Sequence, residues 1–182
     1  AEDIPPEALH SGDDKAVWIA CTNPAQSLPD LNRVRAALDK AELVVVQEAY
    51  RKWEAMQDLT DLQWSVIGHL QTNKAKLVAR FAAEFQALDS LRVAEALDRR
   101  LQAEGRSLDV FVQVNTSGEA SKYGLTPEDV LAFVQALPAF SALRVRGLMT
   151  LALFSSEAER VRQCFVLLRG LRNRLRQSAP AA

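Results

Sequence analysis

The chain has 182 residues, about half apolar (48%) and a quarter charged (25%), with a formal net charge of −1. That is the size and composition of one globular domain able to bury a core, and the charge gives no reason to expect nucleic acid or an anionic membrane as a partner. Two cysteines, Cys21 and Cys164, make neither a disulfide framework nor a zinc motif, and two histidines among scattered carboxylates make no metal cluster.

The opening stretch AEDIPPEALHSGDD (1–14) is acidic and is expected to be irregular; it lacks the basic region and apolar run of a signal peptide. No later stretch is long and apolar enough to span a membrane, so a soluble cytoplasmic protein is expected. Short apolar, β-rich runs then follow at 16–22 (AVWIACT), 42–46 (ELVVV), 63–68 (QWSVIG), 85–90 (FQALDS), 109–115 (DVFVQVN) and 143–151 (LRVRGLMTL). Near-continuous apolar runs of this length predict parallel strands covered on both faces. Helical patterns fill the intervals, at 27–40, 47–57, 72–83, 91–105, 126–137 and 156–176. In the fourth, Leu91, Ala94, Leu97 and Leu101 share a face, with Ser90 placed to cap the start and Gly105 the end. The fifth opens with Thr126 as N-cap and Pro127 at the first helical position. The last aligns Val161, Phe165, Leu168, Leu171 and Leu175. The alternation predicts one α/β domain over 1–182, either most of a closed (β/α)8 barrel or an open doubly wound sheet. No GxGxxG or GxxxxGK[ST] follows a strand, which removes the main support for a nucleotide-binding open sheet. Six βα units are two short of a barrel, and the two open edges of such a sheet predict either self-association or irregular closure.

In parallel α/β folds ligands bind at the carboxyl ends of strands. The polar stretches there are HLQTNK (69–74), DS (89–90), NTSGEASKYG (115–124) and MT (149–150). Polar glycine-bearing loops are common, and NTSGEASKYG reads first as a structural loop. His69 reads as a capping or hydrogen-bonded residue, Lys74 and Lys76 as a solvated helix face, and Lys122 as a surface lysine. Arg160, Arg162, Arg169, Arg172, Arg174 and Arg176 flank the apolar stripe of the last helix without an aromatic platform, and read as its solvated face. Cys21, at the end of the first strand, reads as an inert thiol. A cysteine-dependent enzyme would need a base beside it, and none is locally arranged.

Taken together, VQEA (46–49), IGHLQTNKAK (67–76), LDSLRVAEAL (88–97), VQVNTSGEASKYGL (112–125), LRVRGLMTL (143–151) and LRGLRNRL (168–175) resemble, in order and spacing, the successive motifs of the pyridoxal-phosphate homeostasis proteins. The resemblance covers roughly residues 41–176. It implies a barrel of the alanine-racemase N-terminal type, with six of its eight βα units evident. It also implies a non-enzymatic role: binding pyridoxal 5'-phosphate, buffering or delivering it. Asn115, Met149 and Thr150 would face the cofactor pocket.

Three positions depart from the pattern that the resemblance implies. The lysine of V-S-K-T-x-P, which forms the Schiff base, is replaced by Cys21 in I-A-C-T-N-P; a thiol makes no imine, so covalent anchoring is lost. The asparagine of F-G-E-N is Val44, and the histidine of W-H-x-I-G is Ser65. The later S-M-G-M-S and R-x-G-x-x-x-F-G motifs, which supply the phosphate cradle, do not occur, which predicts weakened, non-covalent binding. The alternative is a scaffold, degenerate or engineered, that no longer binds cofactor and serves as an interaction module.

Overall fold

A computed structural model describes residues 16–19, 43–47 and 63–178, with side chains from 63 onward. Six strands, β1 (Ala16–Ile19), β2 (Leu43–Gln47), β3 (Trp64–Ile67), β4 (Ala82–Leu88), β5 (Leu108–Gln113) and β6 (Leu143–Met149), form one sheet in the order β1-β2-β3-β4-β5-β6. Every pairing is parallel. An open doubly wound sheet reverses its strand order at a switch point. Here each strand is added on the same side as the last, which is the order of a barrel wall. The described helices are α1 (Ala75–Phe81), α2 (Leu91–Ala103), α3 (Val130–Ala136) and α4 (Ala158–Ser178). The expected irregular segment 1–14, the expected helix 27–40, the expected helix 47–57 beyond Gln47 (which ends β2), and Cys21 lie outside the described residues.

The core lies between the sheet and these helices. Val66, Phe85, Leu88, Val110 and Val112 of the strands meet Val78 of α1, Val93, Leu97 and Leu101 of α2, and Phe133 of α3. Trp64 sets its ring edge-on to Phe81, with centroids 6.3 Å apart. A second cluster joins Leu171 of α4, flanked by Leu168 and Leu175, to Val114 and Val130. Among the described residues no helix is long and apolar enough to cross a membrane.

Ser90 caps α2 as expected, accepting a hydrogen bond from the Val93 amide at 3.2 Å. At the other end Gly105, at φ +64°, closes a Schellman motif: Arg106 N donates to Leu101 O and Gly105 N to Gln102 O. Four expectations need correction. β4 begins at Ala82, directly after α1, so helix passes to strand without a loop. Arg106 donates to the Ala79 and Ala82 carbonyls at that junction. Leu91 is exposed, because the buried face of α2 runs through Val93, Ala94, Leu97 and Leu101. Thr126 caps nothing: its hydroxyl donates to the Asp129 carboxylate, and α3 starts only at Val130. On α4 Phe165 is 52% exposed and Cys164 takes the inward position, one residue earlier in the helical period.

Asp98 is the polar residue that fastens α2 to the sheet. It is 8% exposed; one carboxylate oxygen accepts from the Ala142 amide at 2.8 Å, just before β6, and the other from Gln102 at 2.7 Å. Removing this acceptor strands a buried N–H, a loss of about 1–3 kcal/mol. Asp98→Ala is expected to lower the unfolding free energy by that amount, seen as a lower urea midpoint at an unchanged slope; an unchanged midpoint would show that the Ala142 amide finds another acceptor.

Candidate functional site

Alternation along β5 separates core from site. Leu108, Val110 and Val112 belong to the helix-side cluster, so Asp109, Phe111 and Gln113 take the opposite face, free of helices among the described residues. Register carries that face across the sheet: Ser65 pairs with Glu84, Glu84 with Asp109, Asp109 with Arg144, and Gln113 with Met149. It is lined with polar groups that bond one another. Gln86 donates to the Ser65 hydroxyl at 2.8 Å and to Glu84 at 2.9 Å. A register shift at Val110/Phe111 brings both Arg144 and Arg146 onto Asp109, at 2.5 and 2.6 Å.

At the carboxyl ends of the strands the loop after β5 turns back on itself. Asn115 organises it: the side-chain amide donates to the Glu119 and Lys122 carbonyls, and the side-chain oxygen accepts from the Ser117 hydroxyl and the Gly118 amide. The segment then returns alongside the end of β5, with Leu125 N donating to Gln113 O and Asn115 N to Leu125 O. Gly124, at φ +119°, makes that approach; a Cβ there would lie 2.8 Å from Asn115 N. Tyr123 is thereby stacked on His69, with centroids 4.2 Å apart and 11° between planes. The His69 ring nitrogen Nδ1 lies 3.4 Å from the Asp89 carboxylate. On the far side Thr150 donates to Val114 O at 2.7 Å and shares a hydrogen bond with Thr116 at 2.8 Å. Lys122 is engaged twice, by Glu119 at 2.6 Å and by the Ala152 carbonyl at 2.8 Å.

Thus Asn115, Met149 and Thr150 come together at one end of the sheet, and Ser65 lies on the same helix-free face within β3. Val44 stands opposite Trp64 in the β2–β3 register. His69 is hydrogen-bonded and stacked, and caps no helix. Lys74, Lys76 and the six arginines of α4 are exposed, as a solvated helix face requires. Cys164 is buried, its thiol 3.7 Å from the Arg160 carbonyl. Among the described residues no group of three or more His, Cys, Asp or Glu forms a metal site. Sequence reasoning missed Gln113, Gln86 and Tyr123; the signal for the first was an amide side chain interrupting the apolar run DVFVQVN.

A family sequence profile described as "Alanine racemase, N-terminal domain" matches residues 25–182. The chain belongs to this family. Its barrel-wall sheet agrees with solved members: the PipY protein of Synechococcus elongatus, solved with pyridoxal phosphate bound, superimposes with TM-score 0.74 at 27% identity over 92% of this chain and 76% of that one. Clostridium difficile alanine racemase, at 15% identity and TM-score 0.68, over 82% of this chain and 42% of that one, supports the fold alone. In sequence the chain is 36% identical over 132 residues to the pyridoxal phosphate homeostasis protein of Aquifex aeolicus. It is 37% identical over 135 residues to that of Escherichia coli K12. These matches cover 72% and 71% of this chain; it spans a little over half the length of those relatives, 58% of each.

The described residues fit a planar polar ligand of the family in one respect and depart from it in another. Gln113, buried at the strand end, leaves its side-chain carbonyl oxygen without a partner among the described residues, as a ligand-facing acceptor would. Of the described lysines, Lys122 is held by Glu119 and Ala152, and Lys74 and Lys76 are exposed. Lys122, the described lysine within the loop after β5, is therefore not free for a Schiff base.

The Asp109 cluster sets an acid limit on the helix-free face. Burial acts to raise this carboxyl, but the hydrogen bonds and charges of Arg146 and Arg144 outweigh it and hold Asp109 below the ordinary 3.8. A carboxylate depressed by folding contributes stability above its unfolded value and loses it as pH falls through the folded one. Stability is expected to drop on acidification below about pH 4, and Asp109→Asn is expected to flatten that part of the profile while lowering stability at neutral pH. An identical acid limb in the variant would remove Asp109 as its source.

Proposed function

We propose that this chain binds pyridoxal 5'-phosphate without a covalent link, at the carboxyl ends of β3–β6, and serves to hold or deliver it rather than to catalyse a reaction. The observation that carries the proposal is the match of nearly the whole chain to a neighbour solved with that ligand, 92% of it at TM-score 0.74. Relatives named for pyridoxal phosphate homeostasis support it further. The ligand supplies an aldehyde that condenses with amines and a ring that withdraws electrons. With Cys21 in the position of the family's lysine, and Lys122 tied to Glu119 and Ala152, the chain's own contribution is polar contact and enclosure. Met149 beside Gln113, and the Thr116–Thr150 pair at the end of β6, would line the ring's pocket. A cytoplasmic setting, with no nucleic acid or membrane as partner, goes with this role. Self-association through the outer edge of β6, which has no partner strand among the described residues, would be compatible with it.

The test is to titrate purified protein with pyridoxal 5'-phosphate, following absorbance and tryptophan fluorescence, and then to reduce with borohydride and map adducts by peptide mass. Saturable quenching with no stoichiometric lysine adduct is expected. A stoichiometric adduct on one lysine would overturn the non-covalent part. No saturable change up to millimolar ligand would overturn binding altogether and leave a scaffold that no longer handles the cofactor.

A further inference from the structure

We infer that the side-chain carbonyl of Gln113 is a ligand-anchoring acceptor, taking a hydrogen bond from an O–H or N–H group of the bound ring. The inference deepens the cofactor-binding proposal and rests on it.

Gln113 is the last residue of β5 and is 3% exposed. Its Nε2 donates to the Tyr123 carbonyl at 3.1 Å, whereas Oε1 is buried with no hydrogen-bond partner among the described residues. The two ends of a glutamine amide are told apart by their partners. A backbone carbonyl only accepts, so the amide's NH2 must face Tyr123, and the oxygen is fixed on the other side. Native structures rarely leave such an acceptor bare, and each case asks for an explanation.

Its surroundings supply one. The other polar side chains gathered at this end of the sheet are already engaged with one another. Asn115 bonds on both sides of its amide, Thr116 and Thr150 bond each other, and Lys122 is held by Glu119 and Ala152. Asp89 faces His69. Among the described residues two buried side-chain oxygens lack a hydrogen-bond partner, Gln113 Oε1 and Glu119 Oε2; the latter lies 2.6 Å from the Lys122 ammonium, which leaves the Gln113 oxygen as the unpaired one. The returning segment passes so near that a Cβ on Gly124 would lie 3.2 Å from the Gln113 Cγ. A glutamine held at one end by Tyr123, packed at its Cγ under Gly124 and left with a buried oxygen unpaired among the described residues is arranged as a neutral acceptor. Such a group recognises a donor, not the phosphate. Pyridoxal 5'-phosphate offers two donors on its ring, the phenolic hydroxyl and the protonated ring nitrogen.

The experiment measures dissociation constants by equilibrium dialysis for the wild type and Gln113→Leu. The ligands are pyridoxal 5'-phosphate, its 3-O-methyl ether, which lacks the hydroxyl donor, and its N-methylpyridinium form, which lacks the ring N–H. Loss of one buried hydrogen bond is expected to weaken binding of the parent ligand to Gln113→Leu by about tenfold. One of the two methylated ligands should lose a similar factor on the wild type, and Gln113→Leu should bind that ligand and the parent alike; which one it is names the donor. Equal binding of the parent by wild type and a folded Gln113→Leu overturns the inference while leaving cofactor binding intact. Should the variant fail to fold by circular dichroism, the wild type decides: if it binds both methylated ligands as tightly as the parent, the inference falls. Absence of parent-ligand binding to the wild type overturns both the inference and the cofactor proposal beneath it.

Discussion

On β5 the backbone sends Leu108, Val110 and Val112 to the helices and Asp109, Phe111 and Gln113 to the opposite face, and the rest of the molecule follows from that division. The apolar half joins α2 and α3 into one core with β3 and β4. The polar half packs against none of the described helices, and its side chains bond one another in layers: Ser65, Gln86 and Glu84 in one group, Asp109 between Arg144 and Arg146 in another. At the carboxyl end, Gln113 keeps a buried side-chain oxygen without a hydrogen-bond partner among the described residues.

The returning loop is where fold becomes site. An extended segment could not lie against the end of β5 with a side chain at position 124, and Asn115 holds the intervening turn with four hydrogen bonds. The same turn delivers Tyr123 onto His69 and Lys122 onto Ala152, so elements after β3, β5 and β6 are tied across the strand ends. Asn115 therefore acts as the organiser of the loop, and its amide has little capacity left for a ligand.

Much of this was legible in the sequence, for physical reasons that can be named. The six strands stood out because buried parallel strands are short unbroken apolar runs between helical periods. Ser90 and Gly105 marked both ends of α2 through capping chemistry. The onset of β4 was hidden because Ala82, Ala83 and Glu84 have weak strand propensity and follow α1 without a turn. Phe165 misled because its spacing from Val161 and Leu168 put it on the apolar stripe, whereas the buried line runs through Cys164 and Leu171, seven residues apart. Motif resemblance put Asn115, Met149 and Thr150 at one end of the sheet, after β5 and at the end of β6, but hydrogen-bond partners are a matter of three dimensions. No pattern in NTSGEASKYG announced that Asn115 would be consumed by its own loop, or that Gln113 would keep a bare oxygen.

The central claim is that the carboxyl ends of β3–β6, roofed by the loop after β5, form a non-covalent pocket for pyridoxal 5'-phosphate. Hydrogen–deuterium exchange with and without the ligand tests it most directly. The account predicts slowed exchange in 113–125, with smaller effects around His69, Asp89 and Thr150, and none along the exposed face of α4. Unchanged exchange at a saturating ligand concentration, or protection confined to α4 or the edge of β6, would contradict it.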